Sequence, residues 1–416
     1  IKLYHATGDK RYLDLSHYLV EQRGKGVPFL DVLKPCREEM GGAKYNQDDK
    51  PADELSEISG HAVRAMYYYS AITDLAALEH NTGYEAAMDR VYASMQRNMY
   101  LTGGIGQSRS NEGFTQDYDL PNDSYCETCA SVGVVYWASR MNRLKMRANY
   151  MDVAERAMYN GAIAGISLSG DRFFYVNPLV SDGTHHRKPW HNTSCCPTQI
   201  TRFLPSVGDY LYAIKGSTIF VNLYVQSKAK IVLSEETVTL SQTTNYPWDG
   251  NITIRLEENL KTPVALKLRI PDWCRGFVLS QNGKSLASSC VTDGYVTVSG
   301  CCKAGDTVRL ELEMPIRLVT ADERVVQDRS KVAVARGPLV YCMEGTDNAD
   351  MADYAITDGS RFVTQHSEEL GGAVTILDAV GGGVFVPYYA WDNRDAGTMQ
   401  VWVTYRQDNT DWVYSM

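Results

Sequence analysis

The 416-residue chain carries 41 lysines and arginines against 50 aspartates and glutamates, a net charge of −9, which argues against nucleic acid as its main partner. Its 44% hydrophobic and 22% charged residues are those of a globular protein long enough for two or three domains and a large core. No apolar run of about 18 residues marks a membrane-spanning helix.

The chain opens at Ile1 with Leu13, Leu15, Tyr18 and Leu19 already at helical spacing. No targeting segment is readable there, and part of the natural protein is expected to precede it. From Leu55 through Ile58, Ala62, Met66, Ile72 and Leu75 the apolar residues recur at three- and four-residue steps, which predicts a helix packed on one face. Met88, Val91 and Met95 predict another over 84–99. The glycine-rich Thr102–Gly106 breaks the pattern, and helices are expected at about 123–143, 147–165 and 197–213.

After Lys215-Gly216 the period becomes two. Leu266, Leu268 and Ile270 alternate with polar neighbours, as do Val308, Leu310, Leu312 and Met314. Turns at Asn282-Gly283, Asp293-Gly294 and Gly305-Asp306 punctuate strands at sandwich-like spacing. The expected division is a helical domain over 1–214, a β-sandwich over 215–344 and a β-rich segment over 345–416, with a strand near 399–405, that completes or flanks the sandwich. The fold class is therefore α+β and multidomain.

Ten cysteines include the vicinal pairs Cys195-Cys196 and Cys301-Cys302. Neighbouring cysteines rarely bond to each other, so thiol chemistry or metal binding is a better first reading than a disulfide framework. The stretch from Glu112 to Cys129, EGFTQDYDLPNDSYCETC, holds carboxylates around an aromatic residue. It then places Glu127-Thr128-Cys129 where a helix should begin, with Asn122-Asp123-Ser124 as the expected cap. Ser194-Cys195-Cys196-Pro197 again precedes an expected helix, whose dipole and free N–H groups favour a thiolate. Glu127, Cys129, Cys195 and Cys196 could give one oxygen and three sulfurs, a tetrahedral set suited to Zn²⁺. The spacing matches no common zinc finger, and the alternative is buried free cysteines, the usual fate of such residues. Tyrosine outnumbers phenylalanine 27 to 9, and a ring bearing a hydroxyl suits a surface that stacks on sugar, although most such rings simply pack.

The pieces TGGIG (102–106), YDLPND (118–123), ETCAS (127–131), FFYVNPL (173–179), CCP (195–197), ARGPLVYC (335–342) and PYYAW (387–391) occur in this order. The series resembles the glycoside hydrolase family 127 β-L-arabinofuranosidases. That resemblance implies an (α/α)₆ barrel followed by β-sandwich domains. Six or seven helices are countable against the barrel's twelve, so the barrel is expected to lack part of its N-terminal half. Carried over by position, the resemblance implies Cys195 as nucleophile and Glu112 as general acid/base. It also implies a Zn²⁺ held by Glu127, Cys129, Cys195 and Cys196, and contacts to substrate from His61 and Tyr175. The resemblance therefore implies a retaining exo-glycosidase that removes terminal β-L-arabinofuranosyl or closely related sugars from plant glycans, a thiolate replacing the usual second carboxylate; another plant-wall sugar on the same scaffold is a further reading. Ser124-Tyr125-Cys126 is one residue shorter than the family pattern, and the 175–195 segment is also short. The alternative is a non-catalytic zinc- or carbohydrate-binding relative.

Among the remaining signals, Trp190 is expected to line the pocket. His185, His186 and His191 lie on the same loop, and Asp117 and Asp119 compete with Glu112 but are expected to hold the loop or meet sugar hydroxyls. Cys126 is kept out of the metal set, and Cys301-Cys302 is read as structural, in a turn. A carbohydrate is the expected partner, and a homodimer stays open. Reduced, metal-holding cysteines favour the cytoplasm, with a periplasmic or secreted location as the alternative.

Overall fold

The computed structural model describes residues 1–26, 38–234, 236–286, 290–349 and 351–407; Cys36 lies outside them. Helices come first and strands after, as the change of period requires. Helices Lys2–Thr7 and Lys10–Glu21 lead to the longer Ala62–Glu79 and Thr82–Arg97, then Thr128–Lys145, Ala148–Arg156 and Cys195–Phe203. Among the described residues no helix is long and apolar enough to cross a membrane.

Helix Thr128–Lys145 is the centre of the helical domain: 13 of its 18 residues are buried, from Thr128 to Asn142. Val132, Val135, Trp137 and Met141 pack with Met66, Tyr69 and Ile72 of Ala62–Glu79 and with Met88, Val91 and Met95 of Thr82–Arg97. A helix buried nearly all round belongs inside a layer of other helices. Its contact with Ala62–Glu79 is close because Gly133 has no side chain: a Cβ there would lie 2.6 Å from the Cβ of Met66. Gly103, at φ 76°, serves the same end in the Thr102–Gly106 turn, where a Cβ would fall 2.5 Å from the Cα of Ala157.

Several boundaries differ from the periodicity. The helix expected from Leu55 begins at Ala62, because Ala52–Glu54 forms only a 3₁₀ turn and the side chain of His61 caps the helix instead. The stretch 147–165 is helical in three pieces, α over Ala148–Arg156, π over Ala157–Ala162 and 3₁₀ over Ile163–Gly165. Asn122-Asp123-Ser124 does not cap helix Thr128–Lys145, whose N-cap is Glu127 with no side-chain capping bond. Tyr125, Cys126 and Glu127 separate that run from the first helical residue, and the Glu127 side chain turns to the cysteines instead. The second cysteine pair is not in a turn as a whole: Cys301 closes the strand Tyr295–Cys301 and is buried.

The strands form three sheets among the described residues. A five-stranded sheet runs in the order 291–292, 295–301, 264–269, 218–221, 212–215, and a six-stranded sheet in the order 227–232, 237–244, 251–256, 307–312, 277–281, 284–285. Strand Thr307–Leu312 buries every second residue. Val308 and Leu310 pack with Ile252 and Ile254 of the same sheet and with Leu266, Leu268, Val296 and Val298 of the other, so the two sheets share one sandwich core. Nine strands from Ile316 onward, with the short strand Val180–Ser181 paired to Met399–Gln400, form the third, ten-stranded sheet. Strands Lys331–Arg336 and Leu339–Glu344 pair in it with Ile316–Thr320 and with strands after residue 383.

The helical domain and the sandwich are joined by a buried charge cluster. Arg269, wholly inaccessible to solvent, donates from Nη1 to Asp152 Oδ1 at 2.6 Å and from Nη2 to Glu155 Oε1, both on helix Ala148–Arg156. Its Nε donates to the carbonyl of Asn222 at 2.6 Å, and Tyr246 adds a hydroxyl to Glu155 at 2.7 Å. Burial pushes the Asp152 carboxyl up to about 7. Arg269→Met is expected to leave two carboxylates buried without their cation, lowering stability by about 3–5 kcal/mol in urea unfolding followed by fluorescence and circular dichroism.

Candidate active site

Two helix starts and two loops converge on one point. Glu127 caps helix Thr128–Lys145 and Cys129 lies in its first turn, while Cys195 and Cys196 open helix Cys195–Phe203. The cysteine pair thus lies inside the first turn rather than ahead of it. Ligand atoms of Glu127, Cys129, Cys195 and Cys196 all lie within 4.8 Å of one another. Glu127 Oε1 is 3.4 Å from Cys195 Sγ and 3.3 Å from Cys196 Sγ.

The backbone holds this arrangement from the side. Glu127 pairs with Val176 as an isolated bridge, and the Thr128 amide donates to the carbonyl of Tyr175 at 3.0 Å. The Thr128 hydroxyl donates to the carbonyl of Phe174, and Asn177 Nδ2 donates to both Thr128 Oγ1 and the Cys126 carbonyl, each at 2.9 Å. These bonds bring Tyr175 beside the cysteines, its hydroxyl 3.1 Å from Cys195 Sγ.

Glu112 arrives on a separate loop. The Ala62 amide donates to its carbonyl at 3.0 Å, and the Phe114 amide to the carbonyl of Gly60 at 3.0 Å. Its backbone is left-handed, φ 57°, a conformation uncommon for a residue with a side chain and held by surrounding structure. His61 caps helix Ala62–Glu79 by accepting at Nδ1 from the Val63 amide at 3.2 Å and the Arg64 amide at 3.5 Å. The proton of its neutral ring therefore sits on Nε2, which donates to Glu112 Oε2 at 2.9 Å. Tyr125 donates its hydroxyl to Glu112 Oε1 at 2.7 Å. Carboxylate oxygens of Glu112 and Glu127 and a nitrogen of His61 also lie within 4.8 Å of one another.

These contacts set opposite tendencies on the two carboxylates. The hydrogen bond from His61, helped by that from Tyr125, holds Glu112 below the usual carboxylate range. Burial, with the charges of Cys195 and Glu112, pushes Glu127 up to about 8. Its Oε2 is buried without a hydrogen-bond partner. The thiols divide as well: Cys195 is exposed, Cys129 and Cys196 buried. Hydrogen bonds from Cys129 and then Cys196 lower the Cys195 thiol far below its ordinary value, and burial raises that of Cys196. Three sulfurs around a carboxyl with an orphaned oxygen could hold a metal ion, which would use the lone pairs that no donor in the protein reaches.

Other expected residues lie elsewhere. Trp190 is 56% exposed and meets Phe173 edge-on at 6.2 Å. Asp117 accepts from Arg97 and, at 2.7 Å, from Asn98, which ties its loop to helix Thr82–Arg97. His185 donates to the Val176 carbonyl and stacks on Phe174, and His186 bonds Asp392. Cys126 is buried beside Ser124. Sequence reasoning gave no role to Tyr125 and placed His191 only on the loop before the cysteine pair; both lie at the site. The His191 ring packs 5.8 Å from that of Tyr175 while its Nε2 donates to the Phe173 carbonyl. Proximity to Glu127 in sequence was the signal for Tyr125; its bond to a residue 13 positions earlier depends on the loop's path.

Comparison with known proteins places this geometry. Residues 1–209 match the β-L-arabinofuranosidase GH127 catalytic domain, 218–314 the GH127 middle domain and 316–404 the glycoside hydrolase family 127 C-terminal domain. A non-reducing end β-L-arabinofuranosidase of Bifidobacterium longum subsp. longum is 36% identical, the alignment covering 96% of this chain and 69% of the relative. The crystal structure of a GH127 β-L-arabinofuranosidase from Geobacillus stearothermophilus T6 superposes with a TM-score of 0.90 at 35% identity, over 97% of this chain and 71% of that one. Another solved GH127 β-arabinofuranosidase gives 0.89 at 37% identity, over 97% and 67%. A helical domain carrying a carboxylate and thiol cluster, followed by β-sheet domains, here defines a glycoside hydrolase. The chain belongs to glycoside hydrolase family 127 and is β-L-arabinofuranosidase-like.

Thr128→Val is expected to strand the buried Asn177 amide and the Phe174 carbonyl at nearly constant volume. Chemical denaturation should show a loss of about 1–3 kcal/mol.

Proposed function

We propose that the chain is a retaining, exo-acting hydrolase for terminal β-L-arabinofuranosyl groups of plant glycans, with Cys195 as nucleophile and Glu112 as general acid/base. The observation that carries this reading is the junction at Glu127: the exposed Cys195 thiol lies 3.4 Å from one of its oxygens, and a Glu112 oxygen within 4.8 Å of its carboxylate. One retaining site needs a nucleophile and a proton donor in such proximity.

In the first step Cys195 Sγ attacks the anomeric carbon, the bond to the leaving oxygen breaks, and Glu112 gives that oxygen a proton. In the second, Glu112 takes a proton from water, whose oxygen displaces the sulfur. In the free site Glu112 is a carboxylate fed by two donors; as the sugar draws the His61 donor away, Glu112 takes up from solvent the proton that it then gives to the leaving oxygen. His61 Nε2–H and the hydroxyl of Tyr175 are the groups placed to turn to sugar oxygens, while Trp190 would meet the sugar or its aglycone only from the exposed rim.

Glu127, Cys129, Cys195 and Cys196 are the residues that would hold Zn²⁺. Sulfur-rich donors with one carboxylate suit this ion better than Mg²⁺ or Ca²⁺, which take oxygen ligands. Bound there, zinc would keep the Cys195 sulfur deprotonated near neutral pH.

The purified chain is expected to hold one zinc per molecule by elemental analysis, lost in Cys129→Ser and in Cys196→Ser. A metal-free parent chain would overturn the zinc assignment. On an aryl β-L-arabinofuranoside, Glu112→Gln should lower turnover of the second step by about 10²–10⁴-fold, and Cys195→Ala should abolish it. NMR of the first-formed sugar should show the β anomer. An α first product, or activity unchanged in Cys195→Ala, would refute the nucleophile.

A further inference from the structure

Tyr125 reaches across both halves of the site. Its hydroxyl donates to Glu112 Oε1 at 2.7 Å, and its ring meets that of Tyr175 edge-on at 6.0 Å. Tyr175 in turn lies 3.1 Å from Cys195 Sγ. Neither end of Tyr125 is free to drift: its amide donates to the Gln107 carbonyl, and its carbonyl accepts from the Asn177 amide at 3.2 Å. Asn177 is the same residue whose side chain fastens the start of helix Thr128–Lys145.

Glu112 needs such a hold. It stands on a left-handed backbone in a loop, φ 57°, and not on a helix or strand that would orient its side chain. With His61 alone it would be held through Oε2 only, and His61 is a group the sugar is positioned to draw away. A carboxylate held at one oxygen can still rotate about its last bond; held at both, it cannot.

We propose that Tyr125 is a positioning residue for the acid/base: it fixes Glu112 Oε1 so that Oε2 is the oxygen that exchanges its proton with the leaving group and with water. This inference rests on the assignment of Glu112 as acid/base. Tyr125 touches no reacting atom in this scheme. Its effect passes through Glu112, so it should follow the demand for acid catalysis rather than binding or metal content.

The test compares kcat/KM for an alkyl β-L-arabinofuranoside, whose leaving group needs a proton, with that for a dinitrophenyl one, whose leaving group does not. Tyr125→Phe keeps the ring against Tyr175 and removes only the hydroxyl. It is expected to lose about 10–100-fold on the alkyl substrate and less than about threefold on the dinitrophenyl one, with zinc content and KM for the activated substrate close to the parent. Tyr175→Phe, whose hydroxyl faces Cys195, should instead lose similarly on both and shows that the contrast is specific. Equal losses on both substrates in Tyr125→Phe, or no loss on either, overturn the proposal. If Glu112→Gln discriminates between the substrates and Tyr125→Phe does not, only the positioning role fails. If Glu112→Gln does not discriminate, or the parent chain turns over neither substrate, the acid/base assignment fails and the proposal with it.

Discussion

The buried carboxyl of Glu127 is the constraint around which the site is built. Taken out of water, a carboxylate costs several kcal/mol unless charges or donors replace its hydration. Glu127 meets this with thiols on one oxygen and nothing on the other. The fold accepts that cost because the residue is fixed by backbone: it caps helix Thr128–Lys145, most of whose residues are buried, and bridges to Val176. Moving it would break the Thr128 bonds to Phe174, Tyr175 and Asn177 together. A buried, under-satisfied polar group of this kind marks function more clearly than any exposed residue nearby.

Around that point the two carboxylates are driven apart in character by their surroundings. Glu112 is half-buried and receives two donors; Glu127 is desolvated and faces sulfur. Two chemically identical side chains with oppositely shifted ionisation are suited to different roles. The three thiols separate in the same way, since only Cys195 is exposed while sharing hydrogen bonds with two buried partners. The β-sheet domains supply no member of this cluster. They hold the helical domain in place through the buried Arg269 with Asp152 and Glu155, and through Asp392, which accepts from His186 and from the Arg187 amide behind the active-site loop.

Much of this was legible in the residues. The change from a period near 3.6 to a period of 2 at Lys215-Gly216 separates helices from strands because a helix and a strand bury their faces at those repeats. The vicinal cysteines and the Glu-Thr-Cys triplet could be singled out because those residue types carry nucleophilic and ligand chemistry. Less legible were the ends of elements. Leu55 and Ile58 continue the apolar pattern into a segment that is not helical, since both serve the same core from irregular backbone. Asn122-Asp123-Ser124 looks like a cap but lies too far from the helix it precedes in sequence.

The sequence by itself determined the order of helical and β-sheet parts, the family, and a short set of chemically capable residues, because periodicity and residue type are local properties. Only the tertiary structure decided that Glu112, 15 positions before Glu127, returns to it through a left-handed turn, that His61 is a cap whose tautomer points a donor at Glu112, and that Tyr125 holds the other oxygen. Each of these depends on where a loop lies against a helix start, which is set by packing and backbone hydrogen bonds between segments distant in the chain. No local pattern encodes that placement.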